Sequence, residues 1–349
     1  MARLTTNLIL TGLVALLAAC GAAPVAQVTP TPAPTIVADR AGWPARFRIG
    51  LFGGDDPNAV LRTAEPFRAL LEARLGIPVE IQTGASYSAV IEAMRAGRVD
   101  AMEIGPFAYV LAVQEAGAEA LAVAVYPQNE ADPVYDPAAP SFYYSVYVTR
   151  KGSGINRLED LRGASFAFVD PASTSGHLAP RAGLIKAGIN PDTEMRTVFT
   201  GSHPTAVLAV WNGRTQAAAT FEANLYRLQR EGQVEFCGFP DQLSSVVRTD
   251  EEIRAVFESC PEGRLAILGF TDPIPNAPFA VNSQLPASFK AAMTSLLLEV
   301  KEHPDLVAGL RSWYDLPPPA LNLPSVDSYY NPLREIARLL NLDLQELAR

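Results

Sequence analysis

The chain has 349 residues, 48% hydrophobic and 19% charged, enough to bury one large core or two medium ones. Its formal net charge is −9 and it has no Lys/Arg cluster, which argues against nucleic acid as a partner. A bound anion would have to be held by local donors against an unfavourable overall field, so dipoles and hydroxyls are favoured over a basic patch.

Residues Met1 to Cys20 carry one basic residue, then an apolar run, Leu8 to Ala19, too short to span a bilayer comfortably. Leu17-Ala18-Ala19-Cys20 looks like a bacterial lipobox, which predicts removal of residues 1–19 and lipid attachment to Cys20. An ordinary secretory leader with a chance cysteine is the alternative, and either places the mature protein outside the cytoplasmic membrane. Residues 20–44 are rich in Pro, Ala and Thr, with Pro24, Pro30, Pro32 and Pro34, and read as an extended tether.

From Phe47 short apolar runs alternate with amphipathic stretches. Phe47–Phe52 is expected as a strand and Ala59–Leu75 as a helix with Leu61, Phe67, Leu70, Leu71 and Leu75 inward, ended by Gly76. Strand Val79–Gln82, helix Ser86–Ala96, strand Ala101–Ile104, helix Pro106–Gln114 and strand Ala120–Val125 follow. This alternation predicts a mainly parallel α/β sheet covered by helices. A looser piece, Tyr126–Ser141, precedes a strand at Tyr143–Arg150. The rhythm then restarts with Leu158–Leu161, Ser165–Val169, Thr174–Ala187, Thr197–Phe199, His203–Trp211, Ala217–Thr220 and Glu222–Arg230, as a second lobe built like the first. Leu265–Phe270 is a further strand, broken by Pro273-Ile274-Pro275, and helices are expected at Ala287–Lys301, Pro304–Tyr314 and Pro332–Leu347. The C-terminal part is expected to return to the first lobe. Residues 45–145 and 270–349 then form lobe one and 146–269 lobe two, with crossover strands near Tyr143–Arg150 and Leu265–Phe270 as the hinge.

Two segments share one form: Val90 to Ala101 and Val207 to Ala218 each read as a helix, a Gly-Arg turn and a short strand. That is the pattern of one βα unit used twice.

The run Asp170-Pro171-Ala172-Ser173-Thr174-Ser175-Gly176-His177 lies where a strand meets a helix carrying Leu178, Ala182 and Ile185 at helical spacing. A first helical turn leaves N–H groups unpaired at the positive end of the macrodipole. With Ser173 near the N-cap, those donors and the hydroxyls of Ser173, Thr174 and Ser175 can converge on one small anion. Gly176 would let the ligand approach the backbone closely. Simple helix capping by Ser173 is the alternative.

Cys237 and Cys260 make an even pair, which in an oxidising compartment suggests a disulfide; two free buried thiols are the alternative. None of His177, His203 and His303 has ligand spacing with a cysteine, so neither metal nor other cofactor is expected.

Several stretches, in order from about Phe47 to Leu310, are similar to the phosphate/phosphite/phosphonate-binding (PhnD-type) family of ABC-importer solute-binding proteins. They are Ser86 to Met94, Gly105-Pro106-Phe107-Ala108-Tyr109-Val110, Asp160-Leu161-Arg162-Gly163, Phe168 to Gly176, Gly201-Ser202-His203 and Asp272-Pro273-Ile274-Pro275-Asn276. The resemblance implies a two-lobed type II periplasmic-binding-protein fold with two crossover hinge strands, closing on one small phosphorus oxyanion. It implies ligand contacts from Ser173, Thr174 and Ser175, from His203, from Tyr87, and from Tyr143 or else Tyr144. A P–OH group also needs an acceptor, for which Glu222 and Asp272 are the candidates. Phe221 would narrow the pocket and disfavour a long substituent. Gly50 to Asp56 lacks the Pro-Thr usual after the first strand, which leaves the part of that loop open.

Binding without chemistry is the expected function: an extracytoplasmic, lipid-anchored solute-binding lipoprotein that delivers phosphate, phosphite or a phosphonate to a membrane permease driven by an ATPase. No G-x-x-x-x-G-K-S/T nucleotide loop is present. A hydrolase with Ser173 or Ser175 as nucleophile and His177 or His203 as base is disfavoured by the lack of G-x-S-x-G at the turn. A sensor lipoprotein that passes ligand occupancy to a signalling partner is the other alternative.

Overall fold

The structure, a computed structural model, describes residues 39–54, 56–129 and 131–342. The expected leader, the lipidated Cys20 and most of the tether lie outside the described residues, as does the end of the last expected helix.

Strands β1 (Phe47–Phe52), β2 (Val79–Gly84), β3 (Ala101–Glu103) and β4 (Ala118–Val125) alternate with helices α1 (Pro57–Leu75), α2 (Tyr87–Arg95) and α3 (Pro106–Ala116). After the short β5 (Phe142–Tyr143) come β6 (Ser145–Arg150), β7 (Ser165–Phe168), α4 (Ala179–Lys186), α5 (Pro191–Glu194), β8 (Arg196–Phe199), α6 (His203–Trp211), β9 (Ala217–Phe221) and α7 (Glu222–Arg230). Then follow β10 (Phe236–Cys237), α8 (Asp250–Ser259), β11 (Leu265–Phe270), β12 (Ile274–Pro275), β13 (Pro278–Asn282), α9 (Ala287–Glu299), α10 (Pro304–Leu310), β14 (Trp313–Asp315) and α11 (Asn331–Leu339).

The strands form two six-stranded sheets, ordered β14-β4-β13-β3-β1-β2 and β10-β11-β6-β9-β7-β8. Both are mixed, which corrects the expectation of a mainly parallel sheet. β1 pairs in parallel with β2 and β3, but β13 returns from the other lobe and enters antiparallel between β3 and β4. Pro278 at its first residue, where a strand tolerates proline, hid β13 from the sequence pattern. Between the sheets β5 and β12 pair as a short ribbon, Tyr143 opposite Ile274 and Phe142 opposite Pro275. Both chain crossings between the lobes run through this ribbon, whereas the expected crossover strands, β6 and β11, are neighbours inside the second sheet.

Apolar clusters cover both faces of each sheet. Local signals explain most element ends: Asp56 caps α1 by accepting from the Ala59 N–H at 2.8 Å, and Gly76 closes it at φ 67°. Helix α8, absent from the expected elements, starts at a Thr249–Glu252 capping box that was legible in the sequence. The expected helix Pro304–Tyr314 stops at Leu310, because Arg311 turns left-handed (φ 56°) and Trp313 to Asp315 pair with β4. Helix α11 docks Leu333 and Ala337 against the cluster around α3.

The repeat is visible in the hydrogen bonding. In lobe one the Arg98 and Val99 N–H groups both donate to Ala93 O, at 2.8 and 3.2 Å; in lobe two Arg214 and Thr215 donate to Ala209 O at the same distances. Gly97 and Gly213 take φ of 65° and 70° at the turn, and Ser86 and Ser202 cap the two helices through their side chains. Tyr87 and His203 are therefore equivalent residues, each first in its helix.

Candidate binding site

The turn after β7 is not an ordinary helix start. Thr174–Leu178 form one π-helical turn that runs into α4. The extra residue rotates the helix face, so Leu178 and Leu184 are buried while Ile185, expected inward, is 40% exposed. Gly176 lies so close to β7 that an added Cβ would stand 2.3 Å from the Val169 Cβ. Its role is this close packing, not the ligand approach expected of it.

Ser173, Thr174 and Ser175 are all buried, and each hydroxyl already accepts a hydrogen bond. Ser173 Oγ takes the Gly176 N–H at 3.1 Å, and Thr174 Oγ1 takes the Phe107 N–H at 2.8 Å from lobe one. Ser175 Oγ takes the Tyr143 hydroxyl at 3.4 Å. A hydroxyl has one proton to give, so engaging its oxygen this way leaves the O–H as the donor for an incoming anion. The Phe107 contact also supplies α3 with the side-chain cap that Gly105 cannot give. Thr174 thereby bridges two facing helix starts, one from each lobe.

These residues line a cavity of about 610 Å³ together with Tyr87, Tyr143, His203 and Glu222. Burial pushes the Tyr143 phenol up to about 12, and it raises Tyr87 as well, so both stay protonated. Burial lowers His203 to about 3, helped by the nearby Arg227 charge. Its ring is therefore neutral, with Nε2 3.5 Å from Ser173 Oγ and Nδ1 3.2 Å from Thr220 Oγ1. Phe221 stands edge-on to it, 4.7 Å between ring centres.

Glu222 is 3% exposed, and burial raises its carboxyl to about 8 against the pull of Arg248. It is a neutral acid at pH 7, so it offers both a donor and an acceptor without repelling an anion. One oxygen is 3.4 Å from the Tyr226 hydroxyl, and Oε2 is buried without a partner. Asp272, the other candidate acceptor, is placed elsewhere: its exposed carboxylate pairs with Lys186 at 3.1 Å, and it does not line the cavity.

His177 also lies apart, with Nδ1 2.9 Å from Pro171 O and its ring between Phe168 and Phe199. Sequence reasoning missed Asn224, Arg227, Ser244 and Ser245 on the lobe-two side and most of the lobe-one wall. Leu51, Val60, Phe67, Ile81, Phe279 and Tyr314 line the same cavity. Nothing in their spacing separates them from ordinary core. Cys237 and Cys260 are joined by a disulfide. Among the described residues no group of three or more His, Cys, Asp or Glu is placed to hold a metal ion, and no helix is long and apolar enough to cross a membrane.

Two α/β lobes joined by paired crossings, with donors from both at one cleft, define a type II periplasmic solute-binding protein. Residues 49–315 match the family described as ABC transporter, phosphonate, periplasmic substrate-binding protein, and the chain belongs to that family. It is 30% identical over 224 residues to the phosphate-import protein PhnD of Mycolicibacterium smegmatis, covering 62% of this chain and 66% of that protein. It is 33% identical over 169 residues to the phosphonates-binding periplasmic protein of Escherichia coli, 47% of each. The chain thus spans just under two thirds and about half of these curated relatives. Among solved structures, PhnD1 of Prochlorococcus marinus in complex with methylphosphonate superposes with a TM-score of 0.61 at 18% identity, over 85% of this chain and 98% of that one. The alkanesulfonate-binding protein SsuA of Xanthomonas axonopodis bound to MOPS does so at 0.54 and 14%, over 86% and 94%. At these identities the likeness is one of fold.

Proposed function

We propose that the protein captures a phosphorus oxyanion (phosphate, phosphite or a phosphonate) by closure of lobe one, 45–145 with 270–349, on lobe two, 146–269. It then presents the closed form to an ABC permease driven by its ATPase, while a lipid on Cys20 and the tether hold it at the outer face of the cell membrane. The observation that carries this is the set of Ser173, Thr174 and Ser175 hydroxyls, each with its oxygen engaged and its proton left to donate at the cleft. Tyr87 and neutral His203 add donors, Tyr143 orients the Ser175 hydroxyl by donating to it, and Glu222 meets a P–OH. Short charge-assisted hydrogen bonds from these local donors hold the anion in a buried site. No bond is made or broken in the ligand.

The test is a thermal-shift panel of phosphate, phosphite and methylphosphonate, with sulfate as control. A ligand at a hundred times its Kd adds about 2.7 kcal/mol to stability. At least one phosphorus oxyanion raises the melting temperature well above the sulfate value; equal shifts, or none, reject the reading.

A further inference from the structure

The cavity does not end at the hydroxyl cluster. It continues into lobe one between the first turns of α1 and the sheet, where Leu51, Val60, Ala64, Phe67, Ile81 and Phe279 form its walls. We propose that the ligand carries an apolar alkyl or aryl substituent of several carbons, seated between α1 and the first sheet while Ser173 to Ser175 hold its oxyanion. This rests on the oxyanion-binding reading above and names the ligand class within it.

Three observations support it. First, about 610 Å³ lies inside the roughly 300–1,000 Å³ typical of pockets for organic ligands, and an anion the size of phosphate would fill a small part of it. Second, the corresponding strand–helix junction in lobe two is closed, because Gly176 packs onto Val169 with no room even for a methyl group. The open junction is confined to lobe one, whose helix α1 faces the sheet with Val60, Ala64 and Phe67. Third, the Glu103 carboxyl beside this branch already receives the Tyr314 hydroxyl, and burial raises it toward its neutral form. It makes a poor partner for a cationic substituent, which favours an apolar one. Phe221, expected to exclude long substituents, stands on the lobe-two wall between His203 and Tyr143 and leaves the lobe-one branch open.

Calorimetry with methyl-, propyl- and hexylphosphonate tests the proposal. Affinity is expected to rise by about fourfold for each methylene that enters the branch, the fold-change corresponding to about 0.8 kcal/mol. Val60→Phe and Ala64→Phe, which fill the branch from α1, should abolish the gain, so that hexylphosphonate binds each variant no tighter than methylphosphonate does. A far-UV circular dichroism spectrum like that of the wild type shows that each variant is folded. Methylphosphonate binding with a flat or falling chain-length series overturns this inference and leaves the oxyanion site standing. So does a hexylphosphonate gain untouched by both variants. A folded wild-type protein that binds no member of the series overturns the oxyanion reading itself.

Discussion

The two lobes repeat one βα plan but use the junction after its first strand in opposite ways. In lobe two the chain leaves β7, packs Gly176 onto Val169 and begins its helix with three buried hydroxyl residues. In lobe one it leaves β1 through Gly53 and Gly54 and begins α1 at Asp56, whose carboxylate takes the N-terminal donor itself. An acidic cap occupies the dipole that an anion would use, so lobe one cannot offer the same site. The two helix starts thus differ both in geometry and in which oxygen sits first, a neutral hydroxyl in lobe two and a charged carboxylate in lobe one. The equivalent pair Tyr87 and His203 shows the converse: two different side chains at matched positions both turn toward the cleft.

The largest expected asymmetry is in stability. The Cys237–Cys260 bridge ties lobe two alone across a separation of 23 residues. Reduction should cost about 2–4 kcal/mol, read as a lower melting temperature with reductant. An unchanged melt would mean that lobe two does not depend on its cross-link.

Next in size, Ser173→Ala or Thr174→Ala should each weaken anion binding by about 1.5–3 kcal/mol, the loss of one hydrogen bond to a charged ligand. Thr174→Ala also uncaps α3 across the cleft. Calorimetry giving wild-type affinity in both variants would remove the turn from the site.

Glu222 sharpens the contrast by pH. Its folded carboxyl titrates at about 8 rather than near its ordinary 4.5. The folded state thus binds the extra proton, and this contribution is complete below about 4.5 and lost as the pH rises through 8. Glu222→Gln should match the wild type at pH 4.5 and exceed it by a few kcal/mol at pH 8.5, measured by denaturant melts at both pH values. Parallel pH profiles would show that the carboxyl is not held neutral.

The smallest effect is expected at the lobe-one cap. Asp56→Ala should cost about 1 kcal/mol of stability and leave anion affinity within error of the wild type. A marked change in affinity would show that the β1 junction takes part in anion binding after all.

Much of this was legible beforehand. Ser173 to Ser175 were named from the helix start itself, Tyr87, Tyr143 and His203 from the family resemblance and Glu222 as an acceptor, and all line one cavity. Periodicity located nearly every helix, because an amphipathic face leaves its mark in the residue order. It failed where long-range pairing decides the outcome. Trp313 to Asp315 read as a helical tail until β4 offered them an edge, and β13 gains its strand character from filling the gap between β3 and β4.

The order of residues by itself determined the repeated βα units, their caps and glycine turns, and the hydroxyl-rich helix start, since each depends on neighbours within a few positions. Only the tertiary structure decided that Asp272 faces solvent, that Thr174 reaches Phe107, and that apolar residues of α1 and the sheet border a cavity instead of filling one. Local sequence encodes backbone preference and which face is apolar; whether two apolar faces meet or stand apart depends on how distant segments pack.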